Sequence, residues 1–193
     1  MDRTGRDSSD LLDTPFAHLV LWSIVKPRGS VSTAREKVKE RQALVEAVDA
    51  ARQQGRRIVF TNGCFDIIHP GHIRYLETAR SLGDLLVVAV NSDESVRRLK
   101  GESRPIQDED ARSELVAALH CVDLVGIFSE DTPLEIIMAV RPDTLVKGGD
   151  WTKDQIVGRD FVEARGGEVF AIEFEQGYST TNIIERIRES QSN

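Results

Sequence analysis

Between about residue 33 and the carboxyl end, short apolar runs alternate with longer stretches of helical periodicity. Residues 33–54 read as one amphipathic helix, with Val38, Leu44, Val45 and Val48 returning at helical intervals before Gly55 stops it. Residues 57–60 (RIVF) form a first short strand. A helix follows from Pro70-Gly71 to about residue 80, proline suiting a first turn where its missing N–H has no partner to lose. Residues 85–90 (LLVVAV) are continuously apolar, as a parallel strand buried on both faces should be. Asn91-Ser92-Asp93 then starts a helix over 94–99. A polar loop, 100–107 (KGESRPIQ), leads to a helix over 108–119 and a third strand over 122–128. Ser129 to Pro133 opens a helix running to Val140. A short fourth strand covers 144–146, a helix 157–164, a fifth strand 167–174 and a last helix 183–189.

Such alternation predicts an α/β fold, a Rossmann-like doubly wound parallel sheet of about five strands with helices on both faces. Ligands of such sheets bind beyond the carboxyl ends of the strands. Three loops at that edge carry chemistry: 62–72, 147–151 and 177–182. Residues 1–32 stand apart as an amino-terminal extension to a domain spanning 33–193. Its first dozen residues read as passive and partly disordered. Phe16, Leu19, Leu21, Trp22 and Ile24 are expected to dock on the domain or on a second subunit, since an isolated apolar patch is poorly suited to remaining solvated.

Residues 61–72, TNGCFDIIHPGH, hold the densest chemistry. His69 and His72 stand three apart across the first turn of a helix and can point to one side. That helix end already favours an anion through its exposed N–H groups and dipole. A metal pair or two ordinary surface histidines would show the same H-x-x-H spacing, but no Glu follows the first His and no third ligand lies nearby. Lys147 follows a buried strand at the ligand edge, and otherwise reads as a solvated lysine in a glycine loop. Gly148 and Gly149 let a nucleotide approach the backbone. Ser179, Thr180 and Thr181 crowd a helix start; one serves as a cap, and three hydroxyls exceed what capping needs. Asp66 reads as holding the turn through backbone hydrogen bonds. Arg98, Lys100, Arg104 and Arg112 are candidates for binding a phosphate, against the plainer alternative of solvated charge.

Composition narrows the partners. With 32 Asp+Glu against 25 Lys+Arg, the net charge of −7 argues against a broad nucleic-acid or membrane surface and leaves room for a local phosphate pocket. Cys64 and Cys121 are far apart in sequence, which suits a reduced, cytoplasmic setting, with Cys64 a small buried side chain rather than a nucleophile. The apolar run at 19–25 is too short to span a bilayer, and no secretory leader is expected.

The signature in its strand–turn–helix context resembles the nucleotidyltransferases with an H-x-G-H motif. Over roughly residues 35–188 the chain is most similar to the adenylyltransferases that make ADP-heptose from heptose 1-phosphate, alone or as half of a bifunctional synthase. FTNGCFDIIHPGH, AVNSDESVRRLKGESRPI, EDTP, LVKGGDW and GYSTTNII carry that likeness. The glycerol-3-phosphate cytidylyltransferases of the same fold typically have Tyr-Gly-Thr-Phe-Asp in the first motif and an arginine before the late glycine. This chain has Asn62-Gly63-Cys64-Phe65-Asp66 and, with no arginine, Phe174-Glu175-Gln176 before Gly177, although Trp151 is shared with them.

The resemblance implies catalysis by His69, His72 and Lys147, without a protein-made metal site. It implies nucleotide contacts from Thr61, Asn62, Gly63, Cys64, Phe65, His69, Gly71, His72, Asn91, Lys147, Gly148, Gly149, Asp150, Ser179, Thr180 and Thr181. Sugar-phosphate or phosphate contacts would come from Asp66, Arg98, Lys100, Arg104 and Arg112. ATP would be a substrate with Mg²⁺ carried on its triphosphate. With no sugar-kinase domain in the sequence, a stand-alone enzyme is expected, and a homodimer is the expected assembly. The alternative is a cytidylyltransferase acting on glycerol 3-phosphate or another phosphorylated small molecule.

Overall fold

A computed structural model describes residues 33–149, 152–173 and 177–190. The extension over 1–32, with its expected docking segment, lies outside the described residues, as do Asp150, Trp151 and residues 174–176.

The expected helix over 33–54 is broken in two. Thr33 closes a capping box over a short helix α1 (Ala34–Lys37). Strand β1 (Val38–Lys39) follows, pairing in parallel with Val125 and Gly126. Helix α2 (Arg41–Gln53) then restarts from an extended Glu40. Val38 falls in helical register with Val45, seven residues on, but its backbone finds sheet partners at an edge, and a tertiary contact overrides the local period. That edge strand raises the expected count of about five strands to six.

The remaining elements are β2 (Ile58–Gly63), α3 (Pro70–Arg80), β3 (Leu85–Asn91), α4 (Asp93–Lys100), α5 (Glu109–Ala118) and β4 (Leu124–Phe128). After them come α6 (Leu134–Val140), β5 (Thr144–Gly148), a 3₁₀ turn (Lys153–Gln155), α7 (Arg159–Ala164), β6 (Glu168–Ile172) and α8 (Thr180–Ser190). The sheet is parallel throughout, in the order β1-β4-β3-β2-β5-β6. From β2 the chain winds outward through β3 to β4, then returns to the other side of β2 for β5 and β6. The winding direction therefore reverses between β2 and β5, and a crevice opens there at the carboxyl ends.

Successive residues of the central strands feed opposite cores, which is why those strands carry no polar alternation. Phe60, Val87, Ala89 and Leu145 pack with Leu44, Val48, Ile136, Ile137 and Val162 on one face. Val59, Leu86, Val88 and Val146 pack with Leu76, Ala79, Val116 and Ala117 on the other. Among the described residues, no helix is long and apolar enough to cross a membrane.

Candidate active site

At the reversal between β2 and β5 lies a cavity of about 570 Å³, lined by the ends of both strands, the signature turn and the start of α8. His69 is the N-cap of α3, in an extended conformation, with Pro70 at the first helical position. Its carbonyl accepts the His72 N–H at 2.9 Å, so the helix closes directly over the motif. The two imidazoles stack with centroids 3.8 Å apart and 22° between planes. A Cβ on Gly71 would sit 3.1 Å from His69 Nδ1 and 3.2 Å from Tyr178 Cβ, so the glycine between the histidines keeps that stack possible. On its other side His72 meets Phe65, centroids 5.3 Å apart. Phe65 holds a left-handed backbone, φ 47°, unusual for a bulky residue. Its ring is buried and covers Gly63, where a Cβ would come within 3.0 Å of it.

Burial drives the His72 pKa down to about 4, with the neighbouring His69 pushing the same way. Burial lowers His69 as well. Both rings are therefore neutral at pH 7, each offering one N–H as a donor. The Nδ1 atom of His69 is buried with no hydrogen-bond partner among the described residues. Lys147 extends from β5 toward β2, its Nζ donating to the Asn62 carbonyl at 3.4 Å and the Asn62 Oδ1 at 3.3 Å. Desolvation lowers its pKa, and Lys100 adds to the effect.

Thirteen of the expected residues line the cavity: Asn62, Gly63, Cys64, Phe65, Asp66, His72, Asn91, Lys100, Arg104, Lys147, Gly148, Thr180 and Thr181. The others stand behind them. Thr61 is buried, its hydroxyl against that of Tyr75 at 2.5 Å. His69 and Gly71 back His72. Gly149 donates its N–H to the Ile172 carbonyl at 2.9 Å and ties β5 to β6. Ser179 is the cap, accepting the Asn182 N–H at 3.0 Å, which leaves Thr180 and Thr181 facing the cavity. Asp150 lies outside the described residues.

Three of the candidate phosphate contacts have structural partners instead. Arg112 is fully buried; its guanidinium donates to the carbonyls of Gln107 (3.0 Å), Cys64 (2.5 Å) and Asn91 (2.7 Å) and to the Asp93 carboxylate (2.8 Å). It joins the signature turn to the end of β3 and the start of α5 rather than lining the cavity. Arg98 is pinned on α4 by Glu94, Asp131 and the Ser129 carbonyl. Asp66, 1 % exposed, holds not its own turn but the loop opposite: it accepts Arg104 Nε at 2.5 Å and the N–H groups of Ile106 (2.7 Å) and Gln107 (3.1 Å). Cys64 is half-buried, and burial raises its thiol pKa, so it is a weak nucleophile.

Asp131, Thr132 and Pro133, and beyond β5 Gln155, Ile156 and Val157, also line the cavity and were missing from the sequence reading. Asp131–Pro133 belong to the EDTP stretch that carries the family likeness, and they follow β4 at the same carboxyl edge as the loops 62–72, 147–151 and 177–182.

A doubly wound parallel sheet whose reversal crevice is lined by helix starts, a lysine and one imidazole backed by a second defines a nucleotidyltransferase. The chain belongs to the cytidylyltransferase-like family, whose match covers residues 60–186. It is 58% identical over 153 residues to a protein of Trichlorobacter lovleyi named Bifunctional protein HldE, a match covering 79% of this chain and 31% of that one. A protein of the same name from Pelobacter propionicus is 55% identical over 161 residues, covering 83% of this chain and 33% of that one. The chain thus spans about a third of the length of these curated relatives. Among solved structures, the lipopolysaccharide core biosynthesis protein from Thermoplasma volcanium matches with a TM-score of 0.52 and 32% identity, covering 65% of this chain and all of that one.

Proposed function

We propose that the chain is an adenylyltransferase that condenses ATP with heptose 1-phosphate to give ADP-heptose and pyrophosphate, a precursor step for lipopolysaccharide or another surface glycan. The observation that carries it is the convergence of His72, Lys147, Thr180 and Thr181 with the start of α3 on one cavity. The relatives named Bifunctional protein HldE and the ADP-heptose-type stretches of the sequence support the sugar and the base.

A phosphate oxygen of the sugar phosphate attacks the α-phosphorus of ATP, the bond from that phosphorus to the β-bridging oxygen breaks, and pyrophosphate leaves. The nucleophile is anionic at neutral pH, so no general base is needed, and the protein's work is alignment and stabilisation of spreading charge. Neutral His72 donates a hydrogen bond to the reacting phosphate, and the His69 stack fixes its ring. Lys147 supplies a full positive charge beside the donors at the start of α3. The hydroxyls of Thr180 and Thr181 suit the departing end of the triphosphate. Lys100 and the Asp66-held Arg104 lie along the same cavity on the side of loop 101–107, where the sugar phosphate is placed. Mg²⁺ enters as part of the nucleotide substrate. The setting is taken as cytoplasmic and the assembly as a homodimer, the latter read by sedimentation.

Cytidylyl transfer to glycerol 3-phosphate is the second reading, favoured by Gly149-Asp150-Trp151. The proposed bond cleavage is tested with ATP labelled on either the α- or the γ-phosphate. Label should enter the sugar nucleotide only from the α position and pyrophosphate only from the γ position. Transfer of γ label to the sugar would overturn it.

A further inference from the structure

A second cavity, about 450 Å³, opens at the opposite, amino-terminal edge of the sheet. Arg57, Asp143 and Gly167 precede β2, β5 and β6 there, and Arg52, Arg141 and Arg165 sit at the carboxyl ends of α2, α6 and α7. With Arg56, five guanidiniums line it against one carboxylate, Asp143, in a chain of net charge −7.

Three of these arginines serve the fold. Arg52 donates to the carbonyls of Val140 and Arg141, each at 2.9 Å, satisfying the end of α6, and it shares Asp49 with Arg141. Arg57 pairs with Glu168 and reaches Thr144 Oγ1 at 3.2 Å. The other two have no carboxylate among the described residues. Arg56 donates to the Asp84 carbonyl at 2.5 Å, and Arg165 lies over the Phe161 ring at 5.6 Å. A guanidinium carries five N–H donors, so both keep most of theirs. The carboxylates touching this rim do not cancel it either. Asp49, Asp84, Asp143 and Glu168 are four negative charges against five positive ones, and two of the four already accept backbone N–H groups. Helix ends and ion pairs account for Arg52, Arg57 and Arg141, but not for Arg56 and Arg165 on the same recess.

We propose that this recess is a second anion site, separate from the nucleotide cavity, that takes a compact phosphorylated anion between Arg56 and Arg165. Its volume lies within the range of small-ligand sites, and its concave shape between strand starts suits a compact phosphate better than a flat acidic protein surface.

Titration of the full chain with inorganic phosphate, followed by backbone amide NMR, reads the two edges separately. The amides of Gly55, Gly166 and Gly167 report on this recess, and those of Gly71 and Gly148 on the nucleotide cavity. Saturable shifts are expected at Gly55, Gly166 and Gly167. In Arg56→Gln/Arg165→Gln, affinity read there should fall by about tenfold or more, the loss of one charge-assisted hydrogen bond or more, with the Gly71 and Gly148 shifts unchanged. Absence of saturable shifts in the unmodified chain would overturn the proposal without any variant. So would shifts that survive the double substitution, or preferential binding of a polyglutamate peptide, which would make the recess a protein-docking surface. None of these three results bears on the adenylyl-transfer reading.

Discussion

At the scale of single residues, burial has altered two side chains of the site, His72 and Lys147. His72→Asn should lower turnover by about two to three decades, the scale of losing one transition-state donor, with little change in folding. Near-normal turnover would remove His72 from the chemistry. The same burial predicts a pH dependence of stability. The folded-state pKa of His72 is about 4 against an ordinary 6.5, so between those values the unfolded chain binds a proton that the folded one refuses. Stability should therefore fall as pH drops from about 6.5 toward 4, and His69, shifted the same way, adds to the slope. Thermal midpoints across that window should decline less steeply in His72→Asn than in the unmodified protein; parallel declines would show that the imidazole is not held neutral. Lys147→Ala should lose activity with ATP, and Lys147→Arg should recover only part, because a planar fork does not replace a compact ammonium between β2 and β5. A fully active Lys147→Ala protein would return this lysine to solvent.

At the scale of elements, the start of α3 shows how local backbone makes a site. Gly71→Ala would normally favour a helix by about 1 kcal/mol. Here the new methyl meets the His69 ring and Tyr178 Cβ at 3.1–3.2 Å. Tyr178 Cβ moves only with its own backbone, and His69 is 8 % exposed with its ring stacked on His72. Turnover should therefore fall while the melting midpoint stays close to that of the unmodified protein, and an unchanged kcat would show that the stack tolerates displacement. This element was legible in the sequence because proline, glycine and the histidine spacing all act within one turn. The strands were legible because runs buried on both faces leave a continuous apolar signature, as in residues 85–90. Other features depend on partners far along the chain. Nothing around Val38 announces that its backbone bonds to β4 rather than continuing a helix. Nothing around Arg112 announces that its guanidinium joins three carbonyls brought together only by the fold, so it reads as surface charge. Asp66 was read as holding its turn, and its partners prove to be some forty residues away, on the loop that carries Arg104.

For the whole molecule, the sheet divides stability from chemistry. Both cores lie along its faces, and the signature residues lie at one edge. Leu86→Ala, emptying a fully buried position on β3, should cost about 2–5 kcal/mol of stability, read by denaturant unfolding, while the surviving folded enzyme keeps its KM for ATP. A large change in KM with little loss of stability would mean that core and site are not separate. The same separation makes choice of substrate a property of the edge loops rather than of the fold, so family membership does not by itself distinguish ATP from CTP or heptose 1-phosphate from glycerol 3-phosphate. Pyrophosphate release measured with each sugar or polyol phosphate, paired with each nucleotide, addresses that choice directly. The kcat/KM for heptose 1-phosphate with ATP should lie far above those of the other three combinations. Equal or greater release with CTP and glycerol 3-phosphate would contradict it, and no release with any pair would contradict the assignment of this cavity to nucleotidyl transfer.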